Sequence, residues 1–135
     1  MSVLCVVEDN ELDQRIIKLN LIKYPVFKHT IYFYDGQPLL KYLQENKNDR
    51  SNLPDVLLLD LKMPHVDGWK VLDALQVLYP MLCKQIAVYI ISASIIPKEI
   101  NKALSYPFVS DFIAKPLTKD ILTAIANGSK QYVYR

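Results

Sequence analysis

Glycine is scarce in this 135-residue chain: only Gly36, Gly68 and Gly128 occur, far apart. A dinucleotide-binding fingerprint needs three clustered glycines and a phosphate-cradling loop needs a glycine-rich turn, so both are excluded. Cysteine is as rare. Cys5 and Cys83 lie in apolar surroundings and read as buried free thiols of a reducing compartment, not as a disulfide scaffold. Charge of one sign is also lacking. Sixteen basic and 14 acidic side chains leave a net +2, so no basic field marks nucleic acid or anionic lipid as a partner. Long apolar runs are missing too. The stretch Ile86–Ile96 has 11 residues and includes Ser92 and Ser94, against about 18 or more for a membrane span. Val3–Val7 has no basic residue before it and meets Glu8 and Asp9 at once, unlike a secretory signal. A cytoplasmic protein without membrane contact is expected. No His or Cys pair stands at zinc spacing, and His65 reads as a solvated loop side chain.

What is present suits one globular domain. Apolar residues make up 51% and charged residues 22%, and this length buries one core without staples. The expected domain is 1–135, with a core over about 2–129 and a short tail. Short apolar, β-branched runs predict strands at Val3–Val7, Thr30–Tyr34, Val56–Leu59, Ile86–Ile91 and Val109–Ala114. Segments with helical spacing lie between and after them. Leu12, Ile16 and Leu19 recur at 4 and 3, as do Val71, Leu75 and Leu78. Asn10 can cap the first helix, with Asp13 at its third position, and Thr118 the last, with Ile121, Leu122 and Ile125 inward. Pro38 and Pro97 suit first helical turns. Five strands thus alternate with five helices. Continuously apolar strands imply burial on both faces, as in an α/β parallel sheet with helices on both sides.

In such a sheet, ligands bind in the crevice at the carboxyl ends of the strands. The first strand ends at Glu8-Asp9, the third at Asp60, the fourth at Ser92 and the fifth at Lys115, before Pro116. The second ends at Asp35-Gly36, a turn signal. Carboxylates converging on one rim repel and need cations. Hard oxygen ligands in a small open site suit Mg²⁺, Lys115 adds a fixed positive charge, and Ser92 can donate a hydrogen bond to an anion. These are the parts of a phosphoryl-transfer site with a carboxylate nucleophile.

The motifs Val6-Val7-Glu8-Asp9-Asn10, Leu58-Leu59-Asp60-Leu61-Lys62-Met63-Pro64 with Asp67-Gly68, Ile91-Ser92-Ala93 and Phe112-Ile113-Ala114-Lys115-Pro116 follow in order, each at a predicted strand end. Over residues 2 to about 129 the chain resembles a response regulator receiver domain of two-component signalling, of the single-domain, chemotaxis-regulator-like kind. The resemblance implies a doubly wound, flavodoxin-like sheet of strand order 2-1-3-4-5. It makes Asp60 the acceptor of a phosphoryl group from a histidine kinase or histidine phosphotransfer protein. Asp9 and Asp60 would ligate Mg²⁺, Glu8 would act mainly through water, and the Lys62 backbone carbonyl would be a further ligand. Lys115 would pair with Asp60 and then with the phosphoryl oxygens. Ser92 would move to the phosphoryl group and Phe112 would swing inward behind it, while the Lys115–Pro116 bond would be cis. The domain would not be a conventional enzyme, although it assists its own phosphorylation and dephosphorylation.

Departures from the family pattern matter. Phe112 stands where tyrosine is commonest and has no hydroxyl to bond outside. Ser92 replaces the frequent threonine. Lys62 and Ser94 sit on the rim and are expected to tune the lifetime of the aspartyl phosphate through water access. Other readings fit less well. A haloacid-dehalogenase-type phosphatase needs an aspartate where Lys62 stands, and a flavodoxin phosphate loop would meet Glu8-Asp9-Asn10-Glu11. The rival from another class is a receiver-shaped interaction scaffold that works without phosphorylation. A partner or homodimer surface is expected on the fourth-helix, fifth-strand, fifth-helix face, where Tyr106 and Phe108 stand near Lys98, Glu99 and Lys102. Packing at the entry to the fifth strand is the other reading of Tyr106 and Phe108, and the preferred one for Phe108. No residues remain after the fifth helix for an output domain, Gln131–Arg135 being too short. Output is therefore expected through a partner protein, unless the chain is a fragment or a relay intermediate.

Overall fold

A computed structural model describes residues 2–63 and 66–128. Pro64 of the acceptor motif, His65 and the 131–135 tail lie outside the described residues. The order of elements is β1 (Val3–Val7), α1 (Glu11–Lys23), β2 (His29–Phe33), α2 (Gly36–Glu45), β3 (Val56–Asp60), α3 (Gly68–Leu78), β4 (Ala87–Ser92), α4 (Pro97–Leu104), β5 (Val109–Ala114) and α5 (Lys119–Ala126), with a 3₁₀ turn at Tyr79–Met81. The five strands form one parallel sheet in the order β2-β1-β3-β4-β5. The expected topology is therefore present, with β2 and β4 displaced by one residue from the predicted runs and β3 longer by one.

The helix starts follow side-chain chemistry. Asn10 accepts the Asp13 N–H at 2.9 Å, Asp67 the Lys70 N–H at 2.9 Å, and Thr118 the Ile121 N–H at 3.3 Å. Asp35, read as a turn residue, accepts the Gly36 N–H at 2.6 Å and so starts α2. Each cap satisfies a donor that the helix leaves orphaned. Pro97 is in the first turn of α4.

The pleat divides the strands between two cores. Cys5, Val7, Leu57, Leu59, Val88 and Ile90 face α2, α3 and α4. Leu4, Val6, Val56, Leu58, Tyr89 and Ile91 face α1 and α5. β5 breaks the alternation. Its register against β4 shifts between Val88 and Tyr89, so that Tyr89 pairs with Asp111. As a result Val109 and Phe112, three residues apart, share one core.

Four expectations change. The stripe Leu12, Ile16, Leu19 has the right period but faces outward: Leu12 is 64% exposed and Leu19 59%. The buried side of α1 carries Gln14, Ile17 and Leu21. Gln14 can be buried there because its amide donates to the Glu8 and Phe33 carbonyls, at 3.2 and 3.1 Å. β2 is an edge strand, half-buried and not enclosed on both faces. Cys5 is buried, and burial pushes its thiol pKa up, but Cys83 is exposed after the 3₁₀ turn. Finally, Tyr106 is buried and offers no open aromatic surface, while Phe108 is half-buried and stacked on Tyr79, as its packing reading expects.

Candidate functional site

A parallel sheet places all its carboxyl ends on one rim, and there the predicted residues meet. Carboxylate oxygens of Glu8, Asp9 and Asp60 lie within 4.8 Å of one another. Asp9 and Asp60 line a cleft of about 200 Å³ together with Asn10, Asp13, Lys62, Ser92, Ala93 and Lys115. A larger cavity, about 580 Å³, opens where Tyr79, Pro80 and Phe108 meet; Asp55 is its one charged lining residue, so it has no cation for a phosphoryl group.

The charge balance of the cleft is negative. Two like charges about 4 Å apart repel by roughly 4 kcal/mol at an effective dielectric of 20. Glu8 is fully buried. Burial pushes its pKa up to about 7, the neighbouring Asp60 adds to this, and Lys115 opposes it. Burial and then Glu8 raise Asp9 as well. Lys115 is the counter-charge. Its Nζ contacts Oε1 of Glu8 and lies 3.1 Å from Oδ2 of Asp13 and 3.5 Å from Oδ2 of Asp60. Burial alone would lower the lysine pKa, but Glu8, Asp60 and Asp13 outweigh it and raise it. One ammonium thus pairs with three carboxylates, and Asp9 adds a fourth negative charge to the site.

Such a donor set, with crowded hard oxygens and a shortfall of positive charge, fits a divalent Mg²⁺ ion. The residues that would hold it are Glu8, Asp9 and Asp60, with the exposed Lys62 at the lip of the same cleft. The Lys62 N–H donates to Oδ1 of Asp60 at 3.2 Å and so helps hold that carboxylate.

Ser92 is buried at the end of β4 and lines the cleft. Its Oγ accepts the Ser94 N–H at 3.1 Å, which leaves its O–H free to donate to an anion. The expected rim residue Ser94 therefore acts on Ser92 through its backbone. The Ser92 carbonyl accepts the Lys115 N–H at 2.9 Å, joining the ends of β4 and β5. The Lys115–Pro116 bond is cis, as expected. Phe112 is fully buried with Ile100, Ala103 and Tyr106. It already holds the inward packing that the family's switch is expected to reach.

Asp13 is the site residue that the sequence reading missed, since it figured there only as a cap position. α1 begins so soon after β1 that its first turn lies over the same rim, and a residue four positions after Asp9 comes back beside it. That geometry is a usable signal, and Asp13 supplies the third partner of Lys115.

Comparison with known proteins agrees with this geometry. The chain is 28% identical over 118 residues to a two-component response regulator of Oryza sativa subsp. japonica, covering 85% of this chain and 50% of that protein. It therefore spans about half the length of that relative. In structure it is similar to a two-component response regulator from Cytophaga hutchinsonii, with TM-score 0.83, 19% identity and 93% and 94% of the two chains covered. It is also similar to a phosphorylated cyanobacterial phytochrome response regulator, with TM-score 0.71, 29% identity and 94% and 89% covered. Receiver domains bind Mg²⁺ in an acidic pocket, accept a phosphoryl group from histidine kinases or phosphotransfer proteins, and are generally signalling domains rather than enzymes. With residues 4–127 matching the response regulator receiver domain, and with the acid pair, the strand-end aspartate and the lysine on one rim, this chain belongs to that family, the phosphoacceptor switches of two-component systems.

Proposed function

We propose that Asp60 is the phosphoacceptor of this domain and that its phosphorylation changes the surface read by a partner protein. The supporting observation is the convergence at its carboxylate. Oxygens of Glu8 and Asp9 lie within 4.8 Å, and the Lys115 ammonium is 3.5 Å from Oδ2 of Asp60.

An Asp60 carboxylate oxygen attacks the phosphorus of a donor phosphohistidine. The O–P bond forms, the P–N bond breaks, and the electron pair leaves with the imidazole of the histidine kinase or phosphotransfer protein. Glu8, Asp9 and Asp60 would hold Mg²⁺, which would supply positive charge against the anionic donor at this acidic rim. Lys115 moves its ammonium to a phosphoryl oxygen, and Ser92 donates its hydroxyl to another. Lys62, exposed at the lip, and Ser94, which holds Ser92, tune access of water to the product.

Read-out runs from Ser92 into β4 and β5, where Phe112 pairs with Ile90. A scaffold that works without phosphorylation gives no use to three buried or half-buried carboxylates around one lysine, and is not favoured.

Intact mass after incubation with a small phosphodonor, with and without Mg²⁺, tests the proposal. One phosphoryl group gained with Mg²⁺ and lost in Asp60→Asn is the expected result. A gain that persists in Asp60→Asn would show the acceptor to be elsewhere, and no gain with either a small donor or a kinase would overturn the switch.

A further inference from the structure

We propose that Asp13 is a positioning residue: it parks the Lys115 ammonium at the edge of the acceptor cleft and gives it up to the phosphoryl group, thereby biasing the domain against its phosphorylated state. The inference rests on Asp60 being the acceptor.

An ammonium has three donors and no acceptor. Glu8, Asp13 and Asp60 stand as three carboxylate partners around Lys115. A phosphoryl oxygen therefore gains Lys115 only when one of them loses it. Glu8 is a poor candidate, because its side chain is fully buried and would be left as an uncompensated charge. Asp60 is the residue being modified, so the lysine stays beside it. Asp13 is different. Its side chain is 39% exposed, and water can replace the lysine at its oxygens. The exchange thus falls on Asp13.

Asp13 is also held in place for this role. Its N–H is bonded to the Asn10 side chain in the first turn of α1. It lines the acceptor cleft and, with Ile16, Ile17, Lys115, Pro116 and Leu117, a second cavity of about 70 Å³. Asp13 and Lys115 line both cavities.

Two effects of opposite sign follow. Without the Asp13 charge, Lys115 rests on Glu8 and Asp60 and competes with Mg²⁺, so Mg²⁺ binding weakens. With Mg²⁺ saturating, the lysine no longer has to leave Asp13, so a phosphoryl group is held more tightly. A general loss of structure would weaken both.

The test uses Asp13→Asn, Asp13→Glu and Asp60→Asn. Calorimetry measures Mg²⁺ affinity, and beryllium fluoride at saturating Mg²⁺ serves as the phosphoryl mimic. The ¹⁵N–¹H signal of the Lys115 ammonium reports the pairing directly. In Asp13→Asn, Mg²⁺ affinity should fall about threefold or more while mimic affinity rises by a similar factor. The ammonium signal should move, and Asp13→Glu should return all three toward the wild type. Unchanged affinities, or both weaker together, would overturn the inference while wild-type mimic binding, lost in Asp60→Asn, upholds the acceptor. Absence of mimic binding in the wild type would instead overturn the acceptor assignment and this inference with it.

Discussion

The Tyr106 hydroxyl donates a 2.6 Å hydrogen bond to Oδ1 of Asp73, tying the segment before β5 to α3. Together with the Lys102 ammonium, 4.3 Å from the centre of the Trp69 ring, it clamps the face expected to carry the output signal. Burial, and then Asp73, raise the Tyr106 pKa to about 12. A raised folded-state pKa gives stability that is complete below the unfolded value, near 10, and is lost as pH rises through the folded one. Wild-type stability should therefore fall between about pH 10 and 12, and Tyr106→Phe should lose less over that window. At pH 7 the same variant should lose about 1 kcal/mol, since Asp73 is exposed. Denaturant midpoints at both pH values check this.

Gly68 governs the acceptor loop by contact. A Cβ there would stand 2.5 Å from the Leu61 Cα and 2.6 Å from the Asp60 carbonyl oxygen. Both atoms are backbone, so they cannot swing away as a side chain would. Gly68→Ala should cost about 1–3 kcal/mol and shift the backbone beside Asp60. Unfolding in urea and the amide signals of Leu61 and Lys62 would report the two effects.

The outward stripe of α1 makes a paired prediction. Leu19→Gln should change stability by no more than about 0.5 kcal/mol, because Leu19 is 59% exposed. Ile17→Ala, on the buried side, should cost about 2–4 kcal/mol. If Leu19→Gln were the costlier of the two by thermal unfolding, the orientation of α1 would be wrong.

Phe112 is fully buried in an apolar cluster. Phe112→Ala should cost about 3–5 kcal/mol. Phe112→Tyr should cost about 1–3 kcal/mol if the new hydroxyl stays buried without a partner. A neutral Phe112→Tyr in denaturant unfolding would show that the ring can turn outward.

Strand ends were legible in the sequence because chemistry changes abruptly there. Val3–Val7 is wholly apolar and Glu8-Asp9 is not, so length, apolarity and the placement of Glu8, Asp9, Asp60, Ser92 and Lys115 followed without coordinates. Caps were legible at Asn10 and Thr118, since one side chain answers one local N–H. Other features depend on distant neighbours. The period of Leu12, Ile16 and Leu19 marks a helix but carries no sign for its inner face; the carbonyls of Glu8 and Phe33, reached by Gln14, decide that. The pairing of Tyr89 with Asp111 decides that Val109 and Phe112 share a core. The Asp13–Lys115 pair spans 102 positions of sequence. Local propensity is written residue by residue, whereas the face of a helix, the register of a strand and the partner of a charge are set only when the whole sheet closes.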